Sequence, residues 1–347
     1  TSAPGSWPTS RADPLPAMHD GDAADPDATV VTLRELWDRT AEVLESRREA
    51  RWLCEVAVAL DGDEFLAALD EPATERMVAH LDGMVGRYRT GEPLQYVLGR
   101  WGFRRLDLAV DRRVLIPRPE TELVAEVAIS LAASVAAPRV VADLGTGSGA
   151  IGLSLATELP LAGTTVWITD VSDDALAVAR ANLAGIGRAA RNVLVGAGSW
   201  FEALPADVVC DVIVSNPPYV ADDAPELDPG VRDWEPATAL FGGPDGLGAI
   251  RVLVAGAIDR LASEGWLVLE HGADQGLQVR RLLTAAGYRD VETRAEDFER
   301  DLQLLGRVRA SYLRQATAPG WVRIDGERPR DEVETAITAA VMARLGR

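Results

Sequence analysis

Four consecutive residues, Asn216-Pro217-Pro218-Tyr219, combine the groups best suited to chemistry in this chain. They close a short apolar run, residues 211–215, that predicts a buried β-strand. An amide or exocyclic amine nitrogen is a poor nucleophile because its lone pair is delocalised. The Asn216 side-chain oxygen and the Pro217 carbonyl can accept its two N–H groups and turn that lone pair toward an electrophile. The prolines stiffen the loop, and the Tyr219 ring can pack against a planar substrate group. Positioning of the substrate nitrogen then supplies most of the catalysis.

A glycine-rich turn, Asp-Leu-Gly-Thr-Gly-Ser-Gly at residues 143–149, joins a predicted strand to a predicted helix. Its glycines allow torsions and close ligand approach that a Cβ forbids, and the helix opening near Ala150 presents free amides. The spacing is not the G-x-G-x-x-G of dinucleotide sites. An acid before the turn suits a zwitterionic amino-acid end, which fits S-adenosylmethionine, although a purely structural turn is the alternative. The predicted cofactor-binding residues here are Asp143, Gly145, Thr146, Gly147, Ser148 and Gly149.

Four more side chains are candidates for the same site. Asp170 ends the second predicted strand, where an acid can accept both ribose hydroxyls or cap the next helix. Trp200 follows the third strand and either stacks on adenine or belongs to the core. Thr121 and Glu122 either close the cleft beside the substrate or cap the helix that follows them.

Strands and helices alternate over residues 139–309, which predicts a Rossmann-like α/β domain with a mostly parallel, doubly wound sheet. Ligands bind such sheets at the carboxyl ends of the strands, so Asp143, Asp170, Ser199 and Asn216 should line one cleft. Strands are predicted at residues 140–142, 165–169, 192–195, 212–215 and 265–269, with closing strands, one of them antiparallel, near 288–294 and 302–307. Helices are predicted at residues 150–158, 174–183, 247–261 and 275–286.

The remaining sequence divides into four parts around this domain. Residues 1–29 are rich in proline and small polar residues and predict a disordered arm. Residues 30–92 predict a small helical domain that begins at a capping box formed by Thr32 and Glu35, with later helices at 51–60 and 75–88. Residues 93–118 predict a β-hairpin linker with strands at 96–98 and 106–110. The catalytic domain, residues 119–309, starts with a helix at 123–136, and an extension at 310–347 ends in a helix at 331–345.

Composition restricts the partners of this chain. Its net charge of −19 is negative, which disfavours binding to the phosphates of a nucleic acid. All 35 basic residues are arginine, which removes lysine as a base or Schiff-base former. We expect no membrane span, because no run of about 18 apolar residues occurs, and no secretory signal. Cys54 and Cys210 sit in apolar runs typical of buried free thiols, no metal site is expected, and the cytoplasm is the expected compartment.

These motifs resemble the release-factor glutamine methyltransferases (HemK/PrmC) over residues 32–307. The run Ile-Pro-Arg-Pro-Glu-Thr-Glu at 116–122 is the most specific piece, and residues 93–96, 239–246 and 269–272 also fit. The resemblance implies N5-methylation of the glutamine in the Gly-Gly-Gln motif of peptide-chain release factors, with S-adenosylmethionine as donor and S-adenosylhomocysteine as product. It implies that residues 145–149, Asp170, Trp200 and Asn216 hold the cofactor, that residues 216–219 hold the glutamine, and that the helical domain docks the release factor. Ser199 departs from the aspartate common in the family.

Two other functions compete with this one. An adenine-N6 nucleic-acid methyltransferase uses the same Asn-Pro-Pro-Tyr motif to orient an exocyclic amine, but it must also flip a base and bind phosphates. The acidic charge and the absence of an obvious target-recognition domain after Tyr219 disfavour it. A non-enzymatic cofactor-binding or scaffolding protein would not need the intact Asn216 and the open glycine turn. We expect an enzyme that is a monomer and binds no nucleic acid directly.

Overall fold

The computed structural model describes residues 31–225 and 227–294. The predicted arm, the closing strand at 302–307 and the extension with its helix at 331–345 lie outside these residues. None of the helices found in the described part has both the length and the apolar character needed to cross a membrane.

The N-terminal part is helical, as predicted. Its first helix carries the predicted capping box, in which Thr32 Oγ1 accepts from the Glu35 amide at 3.3 Å and the Glu35 carboxylate accepts from the Thr32 amide at 3.0 Å. The second helix begins earlier than predicted because Ser46 caps it by accepting from the Glu49 amide. The five helices are α1 (Leu33–Leu44), α2 (Arg47–Val58), α3 (Gly62–Ala67), α4 (Glu75–Arg89) and α5 (Leu94–Leu98).

The hairpin is present, but its predicted first strand is wrong. Residues 96–98 belong to helix α5, which starts after Pro93 and ends at Gly99, whose φ of 71° suits a left-handed C-cap. Tyr96 and Val97 are both buried, each in a different core cluster, and this packing outweighs their preference for strands. The antiparallel hairpin consists of β1 (Arg100–Phe103) and β2 (Leu106–Ala109).

The second half is a five-stranded sheet with the order β5-β4-β3-β6-β7, and every pair is parallel. The order reverses at β3, which is the switch point where doubly wound sheets bind ligands. The strands are β3 (Arg139–Leu144), β4 (Thr164–Asp170), β5 (Val193–Ala197), β6 (Cys210–Ser215) and β7 (Leu261–Leu269). The helices are α6 (Pro119–Ser134), α7 (Ala150–Glu158), α8 (Asp173–Gly185), α9 (Pro229–Trp234), α10 (Ala237–Leu240), α11 (Gly248–Ala257) and α12 (Gly276–Ala285).

Alternate residues of the central strands face different helices. Val141 packs in a cluster with residues of α6, α7 and α8, whereas Ala142 packs in a second cluster that includes Leu253 of α11. The sheet is therefore covered on both sides, as its apolar strands require.

Two boundaries at the end of the sheet differ from prediction. The predicted helix at 247–261 ends at Ala257, and the strand β7 already begins at Leu261. The closing strand predicted at residues 288–294 is wrong, since no strand forms there. Gly287 and Asp290 have φ values of 95° and 53°, which interrupt an extended backbone. All the strands of the described sheet are consequently parallel.

Candidate active site

A cleft opens at the carboxyl ends of β3, β4 and β6, where the sequence predicts it. Helix α6 and the loop before it close one side of the cleft, and helix α10 with Pro236 before it closes another. The predicted residues that line the cleft are Thr121, Gly145, Thr146, Gly147, Ser148, Asp170, Trp200, Asn216 and Pro218. The predicted residues that do not line it are Glu122, Asp143, Gly149, Pro217 and Tyr219.

The glycine turn presents its backbone to the cleft. Gly145 and Gly147 have φ values of 74° and 55°, which residues other than glycine rarely adopt. The amides of Gly145 and Thr146 both donate to the Thr169 carbonyl, at 2.9 and 2.8 Å, so the turn is tied to β4. A Cβ on Gly145 would lie 3.3 Å from the Trp200 ring, which shows how closely the turn and that ring approach each other.

Asp143 lies beneath this turn, is only 1% exposed and does not line the cleft. Its Oδ2 accepts from Thr146 Oγ1 at 2.5 Å and from the Gly152 amide at 2.8 Å. Burial raises the pKa of Asp143 to about 7, against the opposing effect of these two hydrogen bonds. Oδ1 is buried without a hydrogen-bond partner among the described residues. Asp143 therefore positions the turn against α7 from below.

Asp170 faces the cleft and is not the cap of the next helix. Ser172 caps α8 by accepting from the Ala175 amide at 3.1 Å. The two Asp170 oxygens accept from the amides of Gly147 and Ser172, each at 2.9 Å. The carboxylate thus braces the glycine turn and retains lone pairs for hydroxyl groups of a ligand.

Trp200 contacts both the core and the cleft, so its stacking on adenine stays a prediction. It is half-buried, with a φ of 48°, at the start of a short 3₁₀ helix. One part of the side chain packs with the core cluster around Leu144 and Ile213. Trp200 also lines the cleft, together with Ser199 beside it.

The loop after β6 directs its four residues to different places. Asn216 lines the cleft, and its Nδ2 donates to Thr121 Oγ1 at 3.1 Å. Pro217 is buried, and its carbonyl accepts no hydrogen bond from the described residues. Tyr219 is not among the residues that line the cleft, and its hydroxyl donates to Glu270 Oε1 at 3.2 Å. Burial, followed by the nearby charge of Glu270, raises the pKa of Tyr219.

Thr121 and Glu122 separate in the structure. Helix α6 begins at Pro119 after Arg118, with no side-chain cap, so neither residue has the capping role. Thr121 lies in the cleft beside Asn216. Glu122 instead accepts from the Arg104 amide at 2.8 Å at the hairpin turn and does not line the cleft.

Three polar residues that the sequence analysis missed fix the walls of the cleft. Glu235, which is 5% exposed, accepts from the Ile116 amide at 3.1 Å and from the Arg118 guanidinium. Asn182 bonds both backbone groups of Ala109 and donates to the Ser148 carbonyl at 2.8 Å. Gln275 Nε2 donates to the Tyr219 carbonyl at 2.9 Å. Glu235 stands among other charged residues and carries no local sequence signal, whereas Asn182 and Gln275 are marked only by being polar residues near alanine, leucine or glycine.

Known proteins were compared with this chain. Residues 126–230 match the family model of the methyltransferase small domain, and residues 38–99 match that of the PrmC N-terminal domain. The chain is 44% identical over 238 residues to the release factor glutamine methyltransferase of Xylella fastidiosa, covering 69% of this chain and 84% of the relative. It is 42% identical over 267 residues to that of Bordetella pertussis, covering 77% and 95%. The chain belongs to the release factor glutamine methyltransferase family.

Family membership confirms the resemblance carried by the sequence motifs, and the sheet order confirms the predicted Rossmann-like α/β class. A solved structure of a protein-(glutamine-N5) methyltransferase (release factor-specific) from Alicyclobacillus acidocaldarius is 28% identical, with a TM-score of 0.31, covering 52% of this chain and 87% of that one. The two family models fall on either side of the hairpin, one from within α1 to the end of α5 and the other from within α6 to the start of α9.

Proposed function

We propose that this family member methylates the side-chain amide nitrogen of a glutamine, in the Gly-Gly-Gln motif of a peptide-chain release factor, with S-adenosylmethionine as the donor. The observation that carries the proposal is the placement of Asn216 in the same cleft as the glycine turn, next to Pro217, whose carbonyl accepts no hydrogen bond from the described residues. The names of the relatives supply the class of substrate.

The cleft fits an adenosyl amino acid by its own features. Gly145 and Gly147 leave room for a ligand against the backbone, and Trp200 offers a ring face beside them. Asp170 offers a carboxylate at the end of β4, the position where doubly wound folds contact a ribose. We assign donor binding to Gly145, Thr146, Gly147, Ser148, Asp170 and Trp200, with Asp143 and Gly149 supporting the turn. When bound, S-adenosylmethionine supplies a methyl group already activated by a positively charged sulfur and leaves as S-adenosylhomocysteine.

The Asn216 loop orients the substrate nitrogen. Asn216 Oδ1 and the Pro217 carbonyl are acceptors for the two N–H groups of a glutamine amide, and no described residue occupies either of them. Two acceptors in the plane of the amide leave its nitrogen lone pair pointing out of that plane. The nitrogen gains a carbon substituent and releases one proton to solvent, so the residues need only hold it in place. Pro218 forms part of the cleft wall, whereas Tyr219 supports the loop from behind.

The same substrate suggests roles for the other parts of the chain. We propose that the helical residues 30–92 dock the release factor, that the hairpin linker at 93–118 connects them to the methyltransferase domain at 119–309, and that the protein acts as a cytoplasmic monomer. With a net charge of −19, the chain is better suited to a basic protein surface than to a polynucleotide.

Mass spectrometry of a release factor incubated with this protein and donor tests the proposal. One added methyl group should appear on the Gly-Gly-Gln glutamine. Asn216→Ala should lower kcat by about a hundredfold or more, the cost of removing one preorganised transition-state contact, while S-adenosylhomocysteine binding by calorimetry stays nearly unchanged. The matched control is Asn192→Ala, because that side chain only donates to the Leu161 carbonyl outside the cleft. Methylation of DNA or RNA adenine instead of the release factor would overturn the proposal, as would normal turnover by Asn216→Ala.

A further inference from the structure

A buried carboxyl group, that of Glu270, lies behind the Asn216 loop and has no part in the site described above. It follows β7 directly, is 8% exposed, and its amide donates to the Ser215 carbonyl at 3.0 Å. Tyr219 donates to Oε1, while Oε2 is buried without a hydrogen-bond partner among the described residues. Burying a carboxyl group there lowers the stability of the fold unless nearby polar groups compensate for its desolvation.

Three polar groups face Glu270 from the elements around it. Burial raises the pKa of Glu270, and the charge of Glu120 adds to that effect, whereas the groups of Thr121, Tyr219 and Asn216 favour the charged form. Arg118 is the other nearby charge, and it acts on the phenol of Tyr219. An ionised carboxylate can only accept hydrogen bonds, so it attracts the N–H and O–H groups of this cluster toward itself.

The preference of the Glu270 carboxylate for hydrogen-bond donors decides which end of the Asn216 amide faces the cleft. The oxygen and nitrogen of an amide have nearly the same shape, and only their partners set the orientation. A Thr121 hydroxyl that directs its proton toward Glu270 must accept from its other neighbour, and Asn216 Nδ2 lies 3.1 Å from it. With Nδ2 held on that side, Oδ1 points away from Glu270.

We propose that Glu270 and Thr121 are positioning residues that fix the amide orientation of Asn216, so that the cleft offers an acceptor rather than a donor to the substrate nitrogen. The reverse orientation would place an NH₂ group against an N–H group of the glutamine. The role assigned to the oxygen rests on the proposed function, whereas the orientation itself can be tested without any substrate.

Nuclear magnetic resonance of the full chain tests the orientation directly. The sequence contains three asparagines, Asn182, Asn192 and Asn216, so labelling with ¹⁵N-asparagine gives three side-chain NH₂ pairs. The pair that disappears in Asn216→Ala is assigned to Asn216. Its shifts should titrate with an inflection above the ordinary glutamate pKa of about 4.3, and Glu270→Gln should abolish that titration. The Asn192 pair serves as the internal control. A pH-independent Asn216 pair in the wild-type chain, or an unchanged titration in Glu270→Gln, would overturn the proposal.

Kinetics provide the second measurement. Thr121→Val and Glu270→Gln should each lower kcat by roughly tenfold to a hundredfold, as expected for losing a hydrogen bond to a charged group. Neither change should alter S-adenosylhomocysteine affinity, and Thr121→Ser should recover most of the loss seen in Thr121→Val. In the wild type, kcat should fall as the pH drops through the raised pKa of Glu270, and Glu270→Gln should lack this acidic limb. Glu264→Gln is the matched control, since Glu264 lies exposed on β7, the strand that ends just before Glu270.

The outcomes separate the two proposals. A wild-type chain that methylates no release factor would reject the proposed function, while the resonance titration would still test the orientation of Asn216. A wild-type chain that is active, with Thr121→Val at full kcat, would reject only the positioning role. If Glu270→Gln fails to fold, Thr121→Val and the wild-type titration still decide the matter.

Discussion

The stability of this protein should depend on the ionisation of Asp143, and the replacement Asp143→Asn should remove that dependence. Asp143 is fully enclosed beneath the glycine turn, and burial raises its pKa to about 7. The same side chain in the unfolded chain has a pKa of about 3.9. The folded state therefore holds the proton more tightly, so the free energy of unfolding falls as the pH rises above about 4 and levels off above about 7.

The size of the effect follows from these two pKa values. Integrating proton binding between pH 5.5 and pH 8 gives a loss of about 2 kcal/mol from this one carboxyl group. In Asp143→Asn the amide oxygen can accept from Thr146 and Gly152, while its NH₂ group takes the place of the unpartnered Oδ1. That buried donor costs about 1–3 kcal/mol at every pH. The informative quantity is therefore the change with pH in the difference between variant and wild type.

Urea unfolding followed by tryptophan fluorescence measures this difference, without cofactor, at several pH values. The stability of Asp143→Asn relative to wild type should rise by about 2 kcal/mol between pH 5.5 and pH 8. Asp207→Asn is the control, since Asp207 is exposed in the loop before β6 and its curve should run parallel to wild type. The reasoning is refuted if the difference for Asp143→Asn is constant, or falls as the pH rises.

Two further substitutions test cofactor binding by Asp170 and the packing of Gly152 beneath the site. Asp170→Ala should weaken S-adenosylhomocysteine binding by about tenfold to a hundredfold in calorimetry, because a charged acceptor is lost, and equal affinity to the control Asp173→Ala would exclude Asp170 from the site. Gly152→Ala should destabilise the fold by about 1–3 kcal/mol in urea unfolding, since a Cβ would lie 2.3 Å from Ile168 Cγ2. The control Gly83→Ala has open space in α4 and should instead stabilise it; a stabilising Gly152→Ala would contradict the packing.

The sheet could be predicted because its signals are local. The strands β3 and β6 are apolar runs followed by a glycine and by an asparagine–proline pair, respectively, and helix α7 begins and ends at the predicted residues, Ala150 and Glu158. Buried parallel strands need no information from distant residues to be detected. Residues 96–98 lacked such a signal, because the helix there depends on where Tyr96 is buried and on Gly99.

The direction of a side chain at a strand end was harder to predict than its position. Asp143 lies two residues after Val141, which packs toward α7, so the alternation of a strand turns its carboxylate the same way. Gly152 in α7 leaves the space that this carboxylate fills. The alternation was visible in the sequence, whereas the partner became identifiable only once α7 lay on that face.

The tethers of the cleft could not be predicted from the sequence, because each joins distant segments. Glu235 reaches Ile116 across 119 positions, Asn182 reaches Ala109 across 73, and Gln275 reaches Tyr219 across 56. A buried polar side chain needs a partner, but its surroundings in the sequence do not identify that partner. Each tether holds a different segment: the loop before α6, the hairpin beside the glycine turn, or the Asn216 loop. Because these segments are anchored separately, we expect that the proposed substrate side and the proposed cofactor side of the cleft can be perturbed independently. That independence would allow a loss in kcat to be separated from a loss in cofactor affinity.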